Sequence, residues 1–146
     1  MGFVEAVRSG FHNYANVNGR APRSAYWWWA AFAVPVTMWP VLANVARYAT
    51  GGAEPSSALN AVAVATYLAL LPAWLSLMVR RLHDSDRSGW WLVATAIPVA
   101  GWVIQLVLMA WPETSGQNRY GLPYLGDVGV AEADAETVAA APVTAR

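Results

Sequence analysis

The chain has 146 residues, 57% of them hydrophobic and only 12% charged, with no cysteine and with nine Arg against nine carboxylates. Soluble domains carry about a quarter charged residues, so this composition excludes an ordinary water-borne fold, and the missing cysteine excludes disulfides, iron–sulfur clusters and thiolate zinc sites. The zero net charge is uneven: residues 1–126 hold eight Arg and five carboxylates (8 − 5 = +3), and residues 127–146 hold one Arg and four (1 − 4 = −3).

Residues 1–24 form an amphipathic N-terminal segment. Phe3, Val7, Phe11 and Tyr14 recur at helical spacing with Glu5, Arg8, Ser9 and His12 elsewhere on the wheel, which predicts an interfacial helix. The segment has neither the apolar core nor the cleavage site of a secretory signal. Asn18-Gly19 and Ala21-Pro22 predict a turn, and Ser24 is the expected N-cap of the first apolar stretch.

Three stretches, 25–46, 58–79 and 90–111, contain no Asp, Glu, Lys, Arg or His and are 22 residues each. At about 1.5 Å per helical residue each is long enough to cross a hydrocarbon core of about 30 Å. The expected fold class is therefore an all-α membrane protein, with a helical membrane domain over 25–126 and a tail, 127–146, too acidic and too short of apolar residues to fold alone. Tyr26, Trp27 and Trp28 open the first stretch and Trp90 and Trp91 the third, positions where amphipathic rings favour the headgroup level. Pro35 and Pro40 are expected to kink the first stretch; Pro72 lies in the second, which ends at Arg80-Arg81.

Arg8, Arg20, Arg23, Arg80, Arg81 and Arg87 flank the stretches on one side, while Arg47 alone lies between the first two, so the N-terminus is predicted cytoplasmic. The third stretch has Ile97-Pro98-Val99-Ala100-Gly101 at its midpoint. Either it spans and leaves the C-terminal tail outside, or it forms a re-entrant hairpin of two halves of about 15 Å that returns Arg119 to the other Arg side chains. The full span is the preferred reading, because a non-helical turn at membrane depth needs protein around it and this chain has few helices to supply it.

The densest polar segment is Arg80-Arg81-Leu82-His83-Asp84-Ser85-Asp86-Arg87-Ser88-Gly89. Together with Arg20 and Arg23 it offers guanidinium groups that grip a lipid phosphate or a partner's carboxylates through paired donors. Its plainer reading, preferred here, is an internal ion-pair cluster in which Asp84 and Asp86 meet those Arg groups. Asn118 and Arg119 join the cluster only in the hairpin. Metal binding is not expected, since one His and two carboxylates within four residues match no ligand spacing and Arg neighbours oppose a cation. No cofactor is expected either. Nucleic acid is not an expected partner, because Arg groups beside Trp belts meet lipid headgroups first. The leading functional expectation is capture of anionic lipid headgroups or of a protein partner, a second copy included. The first rival is an interfacial enzyme with His83 as acid or base and Asp84 orienting it, for which no nucleophile or substrate is indicated. The second is a transporter or channel subunit, disfavoured because the stretches contain no ionisable groups.

Gly19-Arg20-Ala21-Pro22-Arg23-Ser24-Ala25-Tyr26-Trp27-Trp28, the block from Arg80 to Trp91, and Gly116-Gln117-Asn118-Arg119-Tyr120-Gly121 together resemble the DUF805 family of small bacterial inner-membrane proteins (YhaH-like). The resemblance runs from about Phe11 to Pro123. It implies a several-span helical domain in the bacterial plasma membrane and supplies no biochemical activity. Ala25 stands where similar sequences often have Glu, which removes one partner for an Arg, and Gly121-Leu122-Pro123 departs from the family's Gly-Pro-rich ending.

Overall fold

The computed structural model describes residues 1–51, 54 and 56–124; the expected acidic tail, 127–146, lies outside the described residues. The elements are α1 (Phe3–His12), α2 (Arg23–Ala49), α3 (Ser57–Asp84), a 3₁₀ helix (Gly89–Ala96) and α4 (Ala100–Ala110). Among the described residues, α2 and α3, at 27 and 28 residues, are the two helices long and apolar enough to cross a bilayer, each running about 40 Å. They pack antiparallel along a narrow seam of Trp29, Ala33, Leu70, Ala73 and Leu77, where the small side chains allow close approach. Trp39, Leu42, Val64 and Leu68 face outward, an apolar surface suited to lipid. At the far end the Asn44 carboxamide accepts from the Ser56 amide and donates to Asn60 Oδ1, both at 2.8 Å, which closes the link between the helices.

Helix α2 begins directly after Pro22, so Ser24 falls within its first turn rather than capping it, and the helix runs unbroken through Pro35 and Pro40. Helix α3 is capped by Ser56, whose hydroxyl accepts from the Leu59 amide. It continues past Arg80-Arg81 as far as Asp84.

The third apolar stretch does not span, which corrects the preferred sequence reading. It is split into the 3₁₀ helix and α4, and the chain reverses between them, with the Ala100 amide on the Pro98 carbonyl and the Gly101 amide on that of Ile97, both at 2.7 Å. Pro98 brings no amide to continue a helix, and Val99 sits at φ +64°, a rare backbone conformation for a β-branched residue. Each arm is only about 16 Å long, half a hydrocarbon core. Gly101 lies so close to the Thr95 carbonyl that a Cβ there has no room. The expected shortage of shielding is met from one side by α2 and α3: Leu108 and Met109 pack on Tyr26, Met78 and Leu82.

The amphipathic helix forms as α1 and packs against the two long helices. Gly10 rests on the Trp29 ring, Phe11 meets that ring edge-on at 5.3 Å and Phe3 meets Trp28 at 5.9 Å. The Ser76 hydroxyl donates to the Asn13 carbonyl at 2.8 Å, and that of Tyr14 to the Ala69 carbonyl. Ala6 and Gly10 of α1 are thus buried while Phe3 and Phe11 touch α2 and stay partly exposed, and the end of α1 is tied to α3.

Candidate functional site

The re-entrant hairpin brings both of its own ends to the start of α2 and the end of α3. There a single carboxylate joins two guanidinium groups: Asp84 Oδ1 accepts from Arg20 Nε at 2.9 Å and Oδ2 from Arg81 Nη1 at 2.7 Å, with all three side chains buried. Arg20 also donates through Nη1 to the carbonyls of Gly116 (2.6 Å) and Gly121 (3.5 Å), and through Nη2 to those of Thr114 (2.7 Å) and Asp84 (3.3 Å). These contacts occupy every N–H the guanidinium possesses. Arg81 reaches the carbonyls of Met109, at 3.2 Å, and Trp111 at the C-terminal end of α4, where a helix presents partial negative charge. The Thr114 amide donates to the Asp84 carbonyl at 2.9 Å. Arg20 and Arg81, expected as ligand-binding groups, are therefore engaged with the protein itself.

Asp84 faces these two Arg groups and not His83. The His83 ring stacks on Tyr120 at 3.7 Å and 3° between planes, and its Nδ1 lies 3.3 Å from the Gly19 carbonyl. The His83/Asp84 acid–base pair of the rival enzyme reading is not assembled. Asn118 Nδ2 donates to the His83 carbonyl at 2.8 Å, and Arg119 pairs with Asp86 at 3.1 Å in an exposed contact. Both residues therefore join the cluster, as the hairpin requires. Among the described residues, no group of three or more His, Asp or Glu is placed to hold a metal ion.

The aromatic markers divide. Trp27, Trp28, Trp90 and Trp91 are exposed, as headgroup anchors must be, whereas Tyr26 is buried and its hydroxyl accepts from Gln105 Nε2 of α4 at 2.9 Å. Arg87 lies 4.1 Å from the centre of the Trp111 ring and 5.6 Å from that of Trp91, so it clasps the two ends of the hairpin through their faces. Arg23 is exposed at the start of α2.

Arg80 differs from its neighbours. Its Nη2 donates to the Arg20 carbonyl and its own carbonyl accepts from the Ala21 amide, both at 3.1 Å, yet its buried Nε has no acceptor among the described residues. It lines a cleft of about 610 Å³ together with Val4, Glu5, Arg8, Ser9, His12, Asn13 and Tyr124. Hydrogen bonds from the Tyr124 hydroxyl (2.8 Å) and then from the Gly2 amide (3.1 Å) hold the Glu5 carboxyl below the usual carboxylate range. Sequence reasoning missed Arg8 and His12 here. Their i, i+4 spacing was readable, but which way the polar face of α1 turns was not.

The family model described as "Protein of unknown function (DUF805)" matches residues 14–122. The chain belongs to the DUF805 family. Its relatives include the Escherichia coli (strain K12) inner membrane protein YhaI, 37% identical over 109 residues, 75% of this chain and 86% of that protein. Inner membrane protein YhaH of the same strain is 34% identical over 112 residues, 75% of this chain and 87% of its own length. No solved structure matches. The DUF805 match takes in the Arg20–Asp84–Arg81 cluster and the whole hairpin but leaves α1 outside. With two long apolar helices and inner-membrane relatives, this DUF805 chain is a helical membrane protein.

Proposed function

We propose that the protein resides in a bacterial inner membrane, with the end carrying Asp84 in the cytoplasm, and binds anionic lipid headgroups there through Arg23 and Arg87. The observation that carries this reading is the one-sided placement of Arg: Arg8, Arg20, Arg23, Arg80, Arg81 and Arg87 lie at one end of the two long helices, the hairpin's return adds Arg119 to them, and Arg47 alone lies near the other end. Such an imbalance supports a cytoplasmic assignment. Arg20 and Arg81 serve the interior, so headgroup contact falls to Arg groups beside the exposed Trp27, Trp28, Trp90 and Trp91.

The test is retention of phosphatidylglycerol against phosphatidylcholine by the purified protein in mixed-lipid nanodiscs. Replacing Arg23 and Arg87 by Gln should lower the preference by about fivefold for each charge lost, at roughly 1 kcal/mol per Arg near an anionic surface. The preference should also weaken with added salt. An unchanged preference in a folded double variant overturns the reading. Arg81→Gln is no substitute, because it strikes the buried cluster.

A further inference from the structure

We infer that the cleft between α1 and the end of α3 is a binding site for one phosphate group, with Arg80 and Arg8 as its principal ligands. The inference builds on the headgroup reading above and gives it a defined pocket. Three observations lead to it. Arg80 is more than nine-tenths buried, and no Asp or Glu among the described residues pairs with it, whereas its buried neighbours Arg20 and Arg81 share Asp84. A buried guanidinium without an anion is unfavourable, and Arg80 lines the cleft with no carboxylate paired to it, so its charge favours an anion there. Across the cleft, α1 presents Arg8 and His12 one helical turn apart, with the Ser9 hydroxyl and Asn13 between and beside them.

The charge in the cleft favours an anion. Glu5 is the one carboxylate among the lining residues, and both its oxygens already accept hydrogen bonds, from Gly2 and Tyr124, while Arg8 and Arg80 supply two positive charges. Two guanidinium forks, a hydroxyl and an imidazole match the several oxygens of a phosphate better than the two of a carboxylate. The volume of about 610 Å³ leaves space for what the phosphate is attached to. That attachment is either the glycerol of a membrane lipid or a soluble organic group. The cleft is also built across the boundary of the family match, with Arg80 inside it and the α1 residues outside.

The experiment uses the full chain in detergent and in nanodiscs, with two probes: inorganic phosphate, followed by ³¹P line broadening, and phosphatidylglycerol, followed by retention. Arg8→Gln alters an exposed side chain and keeps the fold; Arg80→Lys keeps the charge and loses the fork. Each should weaken saturable binding by about tenfold, while Arg47→Gln, at the other end of the long helices, should leave it intact. Arg8-dependent binding of phosphatidylglycerol alone identifies a lipid source, and Arg8-dependent binding of inorganic phosphate in detergent identifies a soluble one. If neither probe binds saturably, or if Arg8→Gln binds as well as the parent, the cleft is not a phosphate site. The headgroup reading then still stands or falls on Arg23 and Arg87 alone.

Discussion

At the scale of single residues, Asp84 holds two buried guanidinium groups and through them the segments around Arg20, Trp111 and Thr114. Asp84→Asn keeps the shape and removes the charge, leaving two buried cations without their counter-ion. It should destabilise the protein by about 3–5 kcal/mol, read as a lower melting temperature in detergent and faster proteolysis after Trp111. The pair formed by Asp86 and Arg119 is exposed, so Asp86→Asn should cost about 1 kcal/mol or less in the same assay. The sequence set Asp84 and Asp86 among Arg groups with which they pair. It did not reveal which carboxylate would be central, because Arg20 and Asp84 lie far apart in the chain and most of Arg20's acceptors are backbone carbonyls, which leave no trace in residue identity. Tyr26 misled for a related reason. Beside three Trp residues it looked like a headgroup marker, and only the fold shows Gln105 waiting for its hydroxyl.

At the scale of elements, Gly101 and Gly10, the glycines with the tightest contacts, behave differently. A methyl group on Gly101 meets the backbone carbonyl of Thr95, which cannot turn aside, whereas one on Gly10 meets the Trp29 ring. Gly101→Ala should therefore force the arms of the hairpin apart at a cost of about 1–3 kcal/mol, detected as a lower melting temperature and as weakened protection of the α4 amides from hydrogen exchange. The break itself was legible in Ile97-Pro98-Val99. Its consequence was misjudged because the protection offered by Tyr26, Met78 and Leu82 comes from faces of α2 and α3 whose periodicity is blurred in all-apolar sequence. Helix α1 was legible as an element from Phe3, Val7 and Phe11. Its docking was not, since the same stripe serves equally well against lipid or against Trp29.

At the scale of the whole molecule, two helices cross and the hairpin returns, so both flanks of the hairpin share a side. The chain contains no cysteine, which makes single-cysteine labelling clean. In sealed vesicles, Ser88→Cys and Ser115→Cys should react with an impermeant maleimide from one side, and Glu54→Cys from the opposite one. Opposite reactivity of the first two positions would restore a third span.

Under the proposed orientation, the link 50–56 between α2 and α3 has to be carried through the bilayer during biogenesis. The order of assembly is constrained as well: Arg20 emerges early but waits for Asp84 and then for the carbonyls of Thr114, Gly116 and Gly121, made nearly a hundred residues later. The helical pair must therefore be inserted before its polar end can be sealed, and a nascent chain halted before Gly121 would display an unfinished, cation-rich face to the membrane surface.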